Sequence, residues 1–148
     1  MGLGVFADSG GVPFDRYREM LPARAADFPP PCRITDPEVV LAYREQWTKC
    51  QVCGAHGRVI LECHHIIGGT KGRSDEVGNL IVLDRRCHER LGPHSEENLG
   101  TILFWKWATD RGTLSWVRLA ILHRRFLPDL VVDRLGYRRW SRDTLKGG

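Results

Sequence analysis

Apolar residues recur along this chain in two rhythms, and the changes of rhythm mark its elements. Val39, Val40, Tyr43 and Trp47 fall at helical spacing behind Asp36-Pro37-Glu38. An Asp accepts hydrogen bonds from free first-turn amides, Pro suits the first helical position, and Glu complements the positive end of the helix dipole. The pattern predicts a helix over about 37–48. Val59-Ile60-Leu61 predicts a short strand leading into Cys63-His64-His65-Ile66-Ile67, and Leu80-Ile81-Val82-Leu83 predicts a second, buried strand opened by Asn79. The Gly-rich run from Gly68 to Ser74 between them predicts a loop ending near Gly78. Asp84 begins a short helix bearing Cys87, His88 and Leu91, and Gly92-Pro93 stops it.

Beyond this strand, loop, strand, helix unit the pattern is helical. Ser95 caps a predicted helix over about 96–110, apolar on nearly every side (Leu99, Ile102, Leu103, Phe104, Trp105, Trp107) and therefore expected to be mostly buried. Arg111-Gly112 ends it, Thr113 caps another over about 114–126, and Pro128 starts a last short one. The tryptophans are assigned to the core rather than to base stacking. At the other end, Gly2–Gly11 and Pro29-Pro30-Pro31 predict a poorly organised segment with at most a short helix near 14–21. The expected organisation is a flexible arm over 1–34, a core over 35–93, and a helical, Arg-rich extension over 94–148 packing on that core. The fold class is α+β.

Composition narrows the picture. With 148 residues, 42% hydrophobic and 27% charged, the chain suits one globular domain rather than two or a disordered polymer. No apolar run approaches the ~18 residues of a membrane span. The first residues show neither a basic n-region nor an h-region, and Phe6 stands where a myristoylation pattern wants Ser or Thr. A cytoplasmic protein is expected. Charge is uneven: nine Arg and Lys against three Asp from Arg111 onward give that part +6, so the remainder carries −2 of the chain's net +4. Arg suits phosphate because its planar fork binds two oxygens at once, although such a run also serves as a plain solvated face.

Five cysteines make an odd number, ill suited to a disulfide framework. Cys50 and Cys53 form a C-x-x-C pair, and Cys87 follows on a helix after a strand. Zn²⁺ takes four Cys, His or carboxylate ligands in a tetrahedron, and two ligand-x-x-ligand turns joined by a hairpin provide that geometry. The candidates are Cys50, Cys53, Cys87 and Asp84; a redox C-x-x-C would call for a βαβ pattern, which is lacking. His64 and His65, adjacent at a strand end, point to opposite sides. One can hold a metal while the other faces a substrate, with His88 completing the metal site. Taken singly, either histidine would read as a second zinc ligand or a packed polar residue.

The combination of C-x-x-C, His64-His65-Ile66-Ile67, Asn79-Leu80 and Cys87-His88 resembles the HNH endonuclease family over Cys50–Leu91. The resemblance implies a ββα-metal motif, a hairpin packed on a helix around one catalytic divalent ion (Mg²⁺, Mn²⁺, Ni²⁺ or Zn²⁺), together with a structural Zn²⁺ site. It implies His65 as the general base activating water, His64 and His88 as ligands of the catalytic metal, and Asn79 as the residue that fixes the His-bearing loop or touches the metal. The implied reaction is hydrolysis of DNA, double-stranded for preference, to 5′-phosphate and 3′-hydroxyl ends. Two positions depart from the family pattern. Asp84 replaces the first Cys of the second knuckle, leaving His56 and His94 as alternative fourth donors. His64 stands where several members have Asp, which disfavours hard ions such as Mg²⁺ relative to Mn²⁺, Ni²⁺ or Zn²⁺. Lys71 and Arg73, with Arg124, Arg125, Arg138 and Arg139 of the basic tail, are the candidate phosphate contacts. Glu62 and Glu89 are read as orienting histidines or facing solvent. The alternatives are a zinc-braced nucleic-acid-binding module without catalysis, and a nuclease subunit active only in a larger phage packaging or defence assembly, with protein partners on the arm or the C-terminal helices.

Overall fold

Strand β1 (Leu61–His65) and strand β2 (Leu80–Asp84) form an antiparallel pair, in register from Leu61 opposite Asp84 to His65 opposite Leu80. A computed structural model of the chain describes residues 21–22, 24–69, 73–127 and 130. All five residues of β2 are buried, and its two faces serve different partners. Leu80 and Val82 pack with Tyr43, Val39, Val40 and Trp47, while Ile81 and Leu83 join the main core. A strand covered on both sides reads as an unbroken apolar run, as Leu80–Leu83 does. The first strand begins two residues later than expected. Val59 and Ile60 are exposed, because β2 turns into a helix at Asp84 and offers no partner that far back. Only the Ile60 carbonyl is used, accepting from the Arg85 amide at 3.0 Å.

Helix α1 (Pro37–Gln46) covers the Leu80/Val82 face. The Asp36 carboxylate accepts from the Val39 amide at 3.4 Å, and the helix stops short of 48 because Trp47 turns extended. Helix α2 (Arg85–Leu91) follows β2 without a connecting residue, and Asp84 Oδ1 caps it by accepting from the Cys87 amide at 2.9 Å. Helix α3 (Glu96–Asp110) starts at the expected Ser95 cap. Helix α4 (Trp116–His123) is shorter than the predicted 114–126. Its cap is Ser115, which accepts from Arg118, and Arg124 ends it in the left-handed region at φ 61°. The hydroxyl of Thr113 instead donates to Asp110 at 2.6 Å. The helix considered near 14–21 falls almost wholly outside the described residues, as does the start of one at Pro128. Within the predicted arm, Ala25–Asp27 form a single 3₁₀ turn and Phe28 is buried in the main core.

The main correction concerns α3. Its buried face is Gly100, Thr101, Ile102, Leu103 and Lys106, whereas Phe104, Trp105 and Trp107 lie half-buried at the margin, with Arg111 stacked 4.3 Å from the Trp107 ring centre. Lys106 is fully enclosed. Its ammonium, with three N–H donors, sits among four acceptors: Asp110 Oδ2, Val77 O and Thr113 Oγ1 at 2.8 Å and Tyr43 Oη at 3.0 Å. Tyr43 gives its single hydroxyl proton to Asp110 at 2.6 Å, and its oxygen lies 3.2 Å from Gln51 Oε1. Gln51 extends the network to β2. Its amide donates to Val82 O at 2.9 Å, its side-chain oxygen accepts from Val82 N at 2.6 Å, and its Nε2 donates to Thr109. A buried cation is tolerable only when paired and fully hydrogen-bonded. Burial pulls the Lys106 ammonium down to about 8 against the opposing pull of Asp110.

Lys106→Ala is expected to cost about 3–5 kcal/mol of stability, because it strands Asp110 without its cation. The double change Lys106→Met with Asp110→Asn leaves no buried charge and should cost much less. Urea unfolding of both variants measures the difference, and equal losses would show that the ion pair is not the reason for the cost.

Candidate functional site

Four ligand atoms, from Cys50, Cys53, Asp84 and Cys87, lie within 4.8 Å of one another. The first two come from a turn in which Gly54, at φ 75°, sends its amide back to Cys50 O at 3.0 Å. A positive φ at that point favours glycine. The amides of Val52 and Cys53 point at Cys50 Sγ, at 3.4 and 3.5 Å. Such donors stabilise a thiolate. Asp84 Oδ2 lies 3.6 Å from Cys53 Sγ, while its other oxygen caps α2. Burial pushes the Cys53 and Cys87 thiols up, and for Cys87 the Asp84 carboxylate adds to the effect. Burial also acts to raise Asp84, but the Cys87 amide and the surrounding thiols prevail and hold it below the usual carboxylate range. Thiols that share protons with a carboxylate in this way are a donor set suited to a divalent cation, whose binding displaces the protons. The fourth donor in the cluster is Asp84, not His56 or His94. His56 bridges to Lys49, and His94 lines a cavity beside His64.

A second group forms where β1 passes over α2. Alternation along the strand puts Glu62 and His64 on the side of Ile81 and Leu83, facing the helix. The His64 and His88 rings approach edge to face with centres 5.0 Å apart. Glu62 Oε1 lies 3.0 Å from His88 Nδ1. A carboxylate can only accept, so Nδ1 carries the proton and the Nε2 lone pair is left for a ligand. Burial first, then the His88, His65 and His94 rings, pull His64 down to about 4 and keep it neutral. Two imidazole nitrogens fit a borderline divalent ion, and a pair of protein donors leaves positions for water and phosphate oxygens. A cavity of about 490 Å³ opens next to His64, lined by His94, Leu99, His123 and Arg125 among others.

His65 belongs to the opposite side of the strand. Its Nε2 lies 2.7 Å from Asp75 Oδ1, and both side chains are only 12% exposed. The other oxygen of Asp75 accepts from the Asp36 amide at 2.9 Å. Burial acts to raise Asp75, but His65, the Asp36 amide and Arg73 outweigh it and hold the carboxyl below its ordinary range. Asn79 is fully buried, and its hydrogen bonds all go to the loop. Its oxygen accepts from the Ile67 amide at 2.7 Å, and its nitrogen donates to Ile67 O at 3.1 Å and Ser74 O at 3.0 Å. The Asn79 carbonyl also accepts from the Ile66 amide at 2.8 Å. Asn79 thus clamps both ends of the loop after His65.

Of the candidate phosphate contacts, Arg73 is exposed, Arg124 donates to Phe28 O at 3.4 Å, and Arg125 pairs with Glu96 at 2.6 Å. Lys71, Arg138 and Arg139 lie outside the described residues. No sequence pattern points to Asp75, because it lies ten positions beyond His65 across a Gly-rich stretch that no periodicity spans. Glu62 was legible, since it shares a strand face with His64.

The site is that of a small α+β protein with a hairpin packed on a helix, a four-donor metal cluster and a facing histidine pair. Residues 50–94 match the family model described as HNH endonuclease, and this part of the chain is an HNH domain. The match at this domain points to a nuclease-type function on nucleic acid. No curated protein and no solved structure matches the chain significantly. Among the described residues, no helix is long and apolar enough to cross a membrane.

Two outcomes follow. Asp84→Asn keeps the helix cap but removes the carboxylate donor, so it should weaken metal retention in competition with a chromogenic chelator while leaving stability nearly intact under metal-free conditions. Asp84→Ala should lose both, with about 1 kcal/mol for the cap alone. The second outcome concerns acid. An unfolded imidazole titrates near 6.5 and His64 only at about 4. The unfolded chain therefore takes up this proton first. The contribution of a neutral His64 is complete above about pH 6.5 and is lost as the pH falls towards 4. In chelator-treated protein, His64→Gln should flatten the stability curve across that window; an unchanged slope would refute the assignment.

Proposed function

We propose that the chain is a metal-dependent endonuclease that hydrolyses phosphodiester bonds in DNA, with His65 as general base and His64 and His88 holding the catalytic divalent ion. The observation that carries this reading is the division of labour across one strand. His64 meets His88 and the helix on one side, and its neighbour His65 is held separately on the other. His65 takes a proton from the attacking water, a transfer suited to an imidazole near neutral pH. Glu62 holds the His88 ring with its free nitrogen available, and Asn79 fixes the loop that follows His65, so neither ring has to reorganise when substrate arrives. A divalent ion bound to His64 and His88 supplies Lewis-acid stabilisation of the phosphate and the departing 3′ oxygen. Neutral imidazoles favour Mn²⁺, Ni²⁺ or Zn²⁺ over Mg²⁺ there. The cysteine cluster acts as a structural zinc site that fixes α2, and Arg73, Arg124 and Arg125 contribute backbone contacts to the nucleic acid. The products carry 5′-phosphate and 3′-hydroxyl ends.

Supercoiled plasmid incubated with Mg²⁺, Mn²⁺, Ni²⁺ or Zn²⁺, beside an EDTA control, tests the reading. Wild-type protein should nick or linearise the plasmid, and His65→Ala should slow the reaction by roughly 10²–10⁴-fold while still shifting DNA on a gel. His88→Ala should raise the metal concentration needed for half-maximal rate. Undiminished cutting by folded His65→Ala would sink the assignment of the base. DNA binding without cutting, under every metal, would favour the non-catalytic module.

A further inference from the structure

We infer that Asp75 is a positioning residue that fixes the proton of His65 on Nε2 and so makes Nδ1 the nitrogen that removes a proton from water. The inference rests on the reading of His65 as the base and names the group that orients it. Asp75 Oδ1 stands 2.7 Å from His65 Nε2. An ionised carboxylate accepts and never donates, so the hydrogen bond exists only when Nε2 carries the hydrogen. The lone pair then resides on Nδ1. Several contacts hold Asp75 itself. Its Oδ2 accepts from the Asp36 amide at 2.9 Å, and its own amide donates to Ile34 O at 2.7 Å. Next to it, Ser74 Oγ accepts from the Ile34 amide at 3.0 Å, and Arg118 holds Glu76 through two nitrogens at 2.7 and 2.9 Å. The segment before α1 and helix α4 thus grip the stretch on either side of Asp75, and the carboxylate meets the imidazole already oriented.

The two occupied oxygens generate an unusual expectation. An Asn at position 75 is isosteric, but the Asp36 amide demands an acceptor and therefore takes the Asn oxygen. The Asn NH₂ is then turned towards His65, where it forces Nε2 to accept and moves the ring proton to Nδ1, the nitrogen that must be free. Asp75→Asn thus locks the wrong tautomer, whereas Asp75→Ala only removes the restraint and leaves both tautomers accessible. A bracing role alone predicts the opposite order, with the isosteric Asn milder than Ala.

The test combines plasmid-nicking rates with long-range ¹H–¹⁵N correlation spectra of the histidine rings in the purified full chain, the His65 signals being identified by their loss in His65→Ala. In the wild type the His65 proton should be on Nε2, and in Asp75→Asn on Nδ1. Asp75→Asn should nick at least about 100-fold more slowly than wild type, and Asp75→Ala about 10-fold more slowly, with DNA affinity on a gel little changed in each. A wild-type proton on Nδ1, or Asp75→Asn nicking faster than Asp75→Ala, overturns the inference. If Asp75→Asn does not fold, the wild-type spectrum alone decides the matter. If wild-type protein fails to cut under every metal, the nuclease reading falls, while the ring spectrum still reports whether Asp75 sets the tautomer.

Discussion

Asp84 stands where a strand becomes a helix with no residue between them, and its two carboxylate oxygens take separate partners. One oxygen caps α2 through the Cys87 amide, and the other faces the thiol of Cys53. The direction in which α2 leaves the hairpin is therefore tied to the cysteine cluster. That direction in turn decides where His88 meets His64. A cysteine at this position would ligate a metal more strongly but would cap the helix poorly, since a thiol is a weak acceptor. The departure from the family's second C-x-x-C knuckle thus comes with a local structural gain.

The opposite side of the hairpin is fixed by polar groups in the interior. Gln51 sits inside the cysteine turn, yet exchanges hydrogen bonds with Val82 of β2 as a third strand would, and its side-chain oxygen lies 3.2 Å from the Tyr43 hydroxyl. Lys106 and Asp110 of α3 complete the network. Its partners come from α1, the cysteine turn, β2 and α3, so its geometry is satisfied by one arrangement of those four elements. Buried networks of this kind define a relative placement that apolar contacts, being non-directional, leave loose.

These two anchors leave β1 suspended between unlike surroundings. Glu62 and His64 look towards α2, and His65 looks towards Asp75 and the N-terminus of α1. A carboxylate holds a ring on each side, Glu62 on His88 and Asp75 on His65, with a different nitrogen engaged in each case. The pairing holds the two sides of one strand end to separate carboxylates.

Much of this was legible in the chain. The Asp36 and Ser95 caps, the buried run Leu80–Leu83 and the ligand spacing of Cys50, Cys53 and Cys87 depend on neighbours within a few residues, where periodicity and capping rules operate. The strand alternation that separates His64 from His65 has the same local origin. Features made by distant residues were not legible. The apolar pattern makes α3 buried on nearly every side and gives no place to Lys106, because the partners that make its burial tolerable come from Tyr43, Val77 and Thr113. The same pattern starts β1 at Val59, because β-propensity does not report where the partner strand ends. Nothing local points to Asp75, because only folding brings that carboxylate to His65. Residue identity alone fixes which side chains are chemically able to bind metal and move protons; the fold decides that Glu62 engages Nδ1 of His88 and Asp75 engages Nε2 of His65, since a ring's partner comes from across the contact and not from the residue that carries it.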